Sequence, residues 1–170
     1  YRKAIGLALT GLCMMGLTSA SARANTPPFP KVKYAYAKAY LFNIQPKSYK
    51  RPSTSIFNGK SLAPGVVDLN VNVSQKHLAA IARLLHAEDG ILFQGLSKCF
   101  VPRHGVVYFD QADRPVASVS ICFECEQISV YPETQRPKFI GVFEGRQVQN
   151  AMKRLAELKR LVKDMGLPVY

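Results

Sequence analysis

Apolar and polar positions alternate with a period of two along several stretches of the chain, a pattern typical of half-buried β-strands. Residues 31–44 (KVKYAYAKAYLFNI) place aromatic side chains on one face and small or aliphatic side chains on the other. This pattern predicts a long first strand. Shorter strands are predicted over residues 66–73 and over residues 139–143 (FIGVF).

A β-hairpin is predicted in the second half of the chain. Residues 106–109 and 116–123 are rich in β-branched and aromatic side chains, and four polar or small residues, 111–114, lie between them. The second strand of this hairpin is expected to continue as far as Tyr131.

In two places a period of about 3.6 residues replaces the alternation and predicts amphipathic helices. The first helix begins after Ser74, whose hydroxyl group suits a helix N-cap, and ends at Asp89-Gly90. The second helix covers residues 146–165 and ends at Gly166. Its apolar stripe consists of Val148, Met152, Leu155, Leu158, Val162 and Met165.

The order strand, helix, hairpin, strand, helix predicts an α+β fold. In this fold two amphipathic helices pack on one face of a largely antiparallel sheet. Residues 45–65 contain three prolines and the turn sequences Asn58-Gly59 and Pro64-Gly65, so this segment is expected to be irregular. Residues 25–170 are long enough for one domain with a real core and too short for two ordinary domains.

The beginning of the chain has the pattern of a cleavable secretory signal. Two basic residues precede an uncharged apolar run, residues 4–17, and small residues then lead to two Ala-x-Ala sites that end at Ala22 and Ala24. The run has 14 residues, fewer than the roughly 17 to 25 that span a bilayer. We therefore expect residues 1–24 to be a signal peptide and the mature protein to be a soluble exported domain, periplasmic or extracellular.

The chain is strongly basic, with a formal net charge of +12 that becomes +9 when residues 1–24 are removed. Such a charge favours anionic partners, and an anionic envelope surface is the candidate in an exported protein. The basic residues are dispersed and no basic run is interleaved with aromatic residues, which disfavours a nucleic-acid site. We expect a monomer.

Candidate chemistry is concentrated in one segment of the mature chain. It contains the three cysteines that remain after cleavage, Cys99, Cys122 and Cys125, together with Arg103 and His104 in the sequence CFVPRHG. An oxidising compartment favours a disulfide between two of the three thiols.

The register of the hairpin decides which of these residues meet. If Asp110 pairs with Pro115, Arg103 lies across from Cys122, whereas a slip by one residue places His104 there. The apolar positions change from odd to even numbers within residues 123–128, so we expect a bulge or local break near residues 124–127. The sequence leaves both registers open.

Three interpretations follow for the cysteine cluster. In the structural one, Cys99 is bridged to Cys122 or Cys125 and one thiol is left over. In the second, the three thiolates and His104 bind a zinc ion. In the third, Cys122 and Cys125 form the dithiol of a thiol-disulfide oxidoreductase, in which Arg103 or His104 stabilises a thiolate.

The chain resembles a group of uncharacterised bacterial exported proteins and lipoproteins. The resemblance lies in the segments CFVPRHG and ICFEC, together with Asn58-Gly59-Lys60, the helix start at Ser74 and Gly166-Leu167-Pro168. The resemblance implies an envelope protein and emphasises the cysteine segment, but it implies no reaction. This chain departs from the lipoprotein members because Leu12 stands before Cys13, where a lipid-attachment site needs a small residue.

Taken together, the sequence predicts an exported envelope domain with a binding or structural role and no catalytic residues. Its Cys/His cluster is expected to be stabilised by a disulfide. A zinc site and a thiol-disulfide oxidoreductase are the alternatives.

Overall fold

The computed structural model describes residues 29–45, 51–85, 99–133 and 145–170. Within these ranges the chain forms β1 (Tyr36–Phe42), β2 (Val66–Asn72), α1 (Gln75–Leu85), β3 (His104–Phe109), β4 (Pro115–Cys122), β5 (Gln127–Tyr131) and α2 (Arg146–Asp164). No helix in these ranges is both long enough and apolar enough to cross a membrane. The strand predicted at residues 139–143 and the helix end predicted at Asp89-Gly90 lie outside the described residues.

The strands form one five-stranded sheet in the order β2-β1-β3-β4-β5. Every neighbouring pair of strands is antiparallel. With the two helices, this sheet confirms the predicted α+β class. The hairpin of β3 and β4 lies inside the sheet, and this position explains why nearly all of its side chains are buried.

Both helices contribute to a core on one face of the sheet, as predicted. On this face, which we call the helix side, β1 presents Ala37, Ala39 and Leu41, each no more than 2% exposed. The helices contribute leucine, isoleucine and valine side chains at helical spacing, namely Leu78, Ile81, Leu84 and Leu85 of α1 and Leu155, Leu158 and Val162 of α2.

The opposite face of the sheet is also covered, and the described residues that cover it are not helical. Tyr40 and Phe42 of β1 pack there with Ile56, which belongs to the irregular segment 51–65. The backbone N–H of Ile56 donates to Ser120 Oγ at 2.9 Å. A Cβ atom at Gly105 would lie 2.6 Å from Ile56 Cδ1, so only glycine lets the segment approach this closely.

Over residues 104–108 the hairpin has the register that places Arg103 across from Cys122, although Pro115 pairs with Phe109 and not with Asp110 as expected. His104 pairs with Ile121 and Tyr108 with Ala117, and an irregularity follows between Tyr108 and Phe109. In continuation of this register, the Arg103 backbone N–H donates to the Ile121 carbonyl at 3.2 Å. Arg103 therefore lies across from Cys122, and the register that places His104 there is excluded.

The prediction that one strand continues from residue 116 to Tyr131 is wrong, because the segment forms two strands. The chain reverses at residues 123–126, and β5 returns antiparallel to β4, with Cys122 opposite Gln127. A reverse turn moves the apolar positions from odd to even numbers just as a bulge does, so periodicity alone did not distinguish the two. Glu126, with φ of 54°, takes up part of the reversal.

Two smaller predictions are also corrected. The first strand is shorter than residues 31–44, and Tyr34 packs edge-on against Tyr108 on the helix side, not on the face of Tyr36 and Tyr40. In α2, Met152 is 38% exposed, and Ala151 is buried in its place.

The end of α2 positions the last residues of the chain. Gly166, with φ of 84°, permits the Schellman arrangement, in which the N–H of Gly166 donates to Lys163 O at 2.8 Å and that of Leu167 to Val162 O at 3.2 Å. Leu167 then enters the helix-side core, where it is 3% exposed. The chain is thereby directed past the start of β3.

Candidate functional site

The structure forms a disulfide between Cys122 and Cys125, which closes the β4–β5 turn. Cys122 is 2% exposed, whereas Cys125 is partly exposed. The Cys125 backbone N–H donates to Cys122 Sγ at 3.2 Å. Cys99 is exposed and takes no part in this disulfide, so the expected bridge from Cys99 to one of the other two cysteines is corrected.

Arg103 reaches the same turn but is paired with a carboxylate. Its Nη1 donates to Glu124 Oε1 at 3.0 Å, and Glu124 lies between the two cysteines. Both side chains are partly exposed, so the pair contributes little to stability. In this structure the charge of Arg103 is compensated by Glu124. The expected role of Arg103 as a partner of a thiolate or another anion stays a prediction.

His104 is the most deeply buried polar side chain of the predicted cluster, with 1% of it exposed. Its Nε2 lies 2.9 Å from the Pro168 carbonyl oxygen. A carbonyl only accepts, so Nε2 carries the proton of the neutral ring. The ring also contacts Phe123 and Tyr170, at centroid distances of 5.0 and 6.3 Å. His104 therefore holds the end of the chain against the sheet.

The sheet separates His104 from the disulfide. His104 pairs with Leu41 and Ile121, both of which face the helix side. Cys122 follows Ile121 in the strand, so its side chain points to the opposite face. The predicted Cys/His cluster is thus two separate features, a disulfide turn on one face and a buried histidine on the other.

A zinc site is not preformed in the part of the chain that is described. There, no group of three or more histidine, cysteine, aspartate or glutamate residues is placed to hold a metal ion. A site made of Cys99, His104, Cys122 and Cys125 would need reduced thiolates and a movement of His104 around the strand. The zinc interpretation therefore stays a prediction for a reduced form.

Burial lowers the pKa of His104 below its usual value, and the nearby charges of Arg103 and Lys159 lower it further, against an opposing effect of the Pro168 hydrogen bond. Its Nδ1 is buried and has no hydrogen-bond partner among the described residues. Protonation would therefore place an uncompensated charge in the core. The folded state therefore favours the neutral ring.

This environment predicts that the protein loses stability in mild acid. Above about pH 6.5 His104 is neutral in both states and contributes nothing. Below that value the unfolded chain binds a proton that the folded chain does not, so the free energy of unfolding falls by up to about 1.4 kcal/mol per pH unit. Urea unfolding of wild type and His104→Gln at pH 7 and pH 5 tests this prediction. The variant should lose less stability on acidification, and an equal loss in both proteins would exclude His104 as the source.

Asn43 is a structurally important residue that the sequence did not identify. It is 4% exposed and has φ of 56°, a conformation that asparagine tolerates. Its Nδ2 donates to Ser53 O at 2.7 Å and Pro102 O at 2.9 Å, and its Oδ1 accepts from Ser53 N at 3.1 Å. These bonds join the end of β1 to the irregular segment and to the residues before β3.

A groove of about 790 Å³ lies between residues 32–35 and the β3–β4 turn. The carboxylate of Asp110 accepts hydrogen bonds from the backbone of Ala112 and Arg114 and from the Arg114 side chain. These bonds hold the pKa of Asp110 below its usual value. Asp110 and Arg114 are thus used to build the turn that forms one wall of the groove.

A scan against protein-family models and searches of curated proteins and of solved structures found no match to this chain. The resemblance to bacterial exported proteins and lipoproteins therefore stays a prediction.

Proposed function

We propose that this protein is an exported envelope domain with a binding or structural role, in which the Cys122–Cys125 disulfide is a structural crosslink. The observation that carries the proposal is the position of the disulfide. It joins the end of β4 to the turn that leads into β5, and Cys122 is buried. A buried sulfur is poorly accessible to an attacking thiolate, which favours a permanent crosslink over an exchanging one.

The crosslink stabilises a short and tightly bent segment. Residues 122–125 form a small closed loop, and Glu126 beside it has a positive φ. In the chain-entropy description, closing a loop of this size in the unfolded chain contributes about 2 kcal/mol to the free energy of unfolding. Export supplies the oxidising environment that such a bond needs, and the signal-like pattern of residues 1–24 supports export.

A second candidate function is thiol-disulfide exchange, because the bonded pair is the one that a Cys-x-x-Cys enzyme requires. Cys125 is the partly exposed member, so an external thiolate would attack its Sγ. The S–S bond would then break and leave its electron pair on Cys122 as a thiolate. The Cys125 N–H, 3.2 Å from Cys122 Sγ, could donate to that thiolate.

Protein isolated from the periplasm or medium should begin after Ala22 or Ala24, with one disulfide between Cys122 and Cys125. N-terminal sequencing, together with the mass of alkylated peptides before and after reduction, measures both features. The disulfide should resist millimolar glutathione. Rapid exchange with glutathione would favour the oxidoreductase, and three reduced thiols with one equivalent of zinc would favour the metal site.

Cys99→Ser provides the matched control for this experiment. Since Cys99 lies outside the disulfide, the variant should keep the same crosslinked peptide and the same resistance to glutathione. A changed disulfide pattern in Cys99→Ser would contradict the pairing, and retention of the uncut N-terminus in a cytoplasmic fraction would contradict export.

A further inference from the structure

One side of α2 is exposed and carries predominantly positive charge. Seven positions at helical spacing share this side, and we call it the basic face: Gln149, Met152, Lys153, Ala156, Lys159, Arg160 and Lys163, all of them exposed. Four of the seven are basic and none is acidic. The opposite side of the helix is fixed in the core by Leu155, Leu158 and Val162. The basic face is therefore held outward by packing.

The two acidic residues of α2 lie outside the seven positions of the basic face. Glu157 lies off the basic face and forms a salt bridge with Arg83 of α1. Asp164, the last residue of the helix, is exposed beside the basic face, four residues after Arg160, and offsets one of its four charges. The hairpin region differs, because Arg103 and Arg114 are each paired with a carboxylate there. Four basic side chains are thus grouped on one exposed face of α2, although the basic residues are dispersed along the sequence.

We propose that the basic face of α2 docks the protein on a surface of anionic phospholipid headgroups. The proposal deepens the proposed function and rests on it, because it names the envelope partner of an exported domain. Lys153 to Lys163 span about 15 Å along the helix axis, so several headgroups can be contacted at once. Long-range attraction and release at high salt are the expected properties of such a contact.

The composition of the face favours lipid over nucleic acid. Met152 is 38% exposed and Ala156 is exposed beside it, which gives the face a small apolar area among its cations. Apolar side chains next to lysines suit the boundary between headgroups and acyl chains. The face carries no aromatic residue on which bases could stack. Because the apolar stripe of α2 is packed in the core, the contact is peripheral and the helix does not insert.

Co-sedimentation of the full exported chain with vesicles tests the proposal. We expect binding to phosphatidylcholine vesicles that contain about one third phosphatidylglycerol, and at least tenfold weaker binding to pure phosphatidylcholine. The variant Lys153→Gln/Lys159→Gln/Arg160→Gln/Lys163→Gln should bind the anionic vesicles at least tenfold more weakly, since each basic residue near such a surface contributes a factor of roughly five.

A matched variant distinguishes an effect of the basic face from an effect of the protein's net charge. Lys31→Gln/Lys33→Gln/Arg51→Gln/Lys60→Gln removes the same charge from exposed positions outside α2 and should bind like wild type. Equal loss in the two variants would overturn the proposal, as would binding to an oligonucleotide without binding to vesicles. Circular dichroism confirms that both variants are folded.

The vesicle result and the proposed function can fail separately. If no vesicle binding occurs while the exported protein carries its Cys122–Cys125 disulfide, the basic face is not a lipid-docking surface and the proposed function stands. If the protein is reduced and cytoplasmic, the proposed function fails, and no binding outcome restores it.

Discussion

Replacing Leu158 with alanine should lower the free energy of unfolding by about 2 to 5 kcal/mol. Leu158 is fully buried at the centre of the α2 stripe, in the core that α2 shares with α1 and the sheet. The substitution removes apolar area and leaves a cavity that the surrounding strands and helices can fill only in part. Urea or thermal unfolding followed by circular dichroism measures the change.

Met152→Ala is the matched control on the same helix. Met152 is exposed, and alanine has a helix propensity at least as high, so the change should stay within about 0.5 kcal/mol. If Leu158→Ala were equally mild, α2 would not be part of the core. Its apolar stripe could then turn outward, and the peripheral mode of lipid contact would have to be abandoned.

The features that the sequence predicted well are those that depend on local periodicity. The apolar stripe of α2 repeats over five turns. The buried side of the helix was therefore predicted correctly, although Met152 was wrongly assigned to it. The alternation of residues 31–44 likewise predicted β1, although the strand is shorter than expected. The antiparallel arrangement follows from the short connection between β3 and β4.

The features that the sequence did not settle depend on register and on contacts between distant segments. A change of apolar phase near residue 124 fits a bulge and a reverse turn equally well, so β5 was mistaken for an extension of β4. The location of His104 relative to Cys122 depends on a one-residue register choice and on the alternation of the strand. The pairing of the cysteines depends on the reversal of the chain at residues 123–126, which brings Cys122 and Cys125 together.

The position of the irregular segment against the sheet is the feature that local sequence patterns predict least. Residues 51–65 have no periodicity, yet they place Ile56 and Phe57 in buried positions on the face opposite the helix side. What fixes the segment is a set of hydrogen bonds to distant residues, made by Ser120 and by Asn43. No spacing rule connects these residues in the sequence.

Asn43→Ala should therefore be among the most destabilising single substitutions outside the apolar core, with a loss of about 2 to 5 kcal/mol. It removes the partners of Pro102 O and of both backbone groups of Ser53. It also places alanine at a positive φ that asparagine accepts more readily.

Asn58→Ala is the matched control in the segment itself. Asn58 also accepts hydrogen bonds from backbone N–H groups, but it is exposed, so water can replace these bonds. Its expected cost is about 1 kcal/mol or less. Chemical denaturation measures both variants, and limited proteolysis at residues 51–65 locates the damage, since loss of the Asn43 bonds should release this segment before the sheet unfolds. Similar costs for the two variants would mean that apolar contacts of Ile56 alone hold the segment in place.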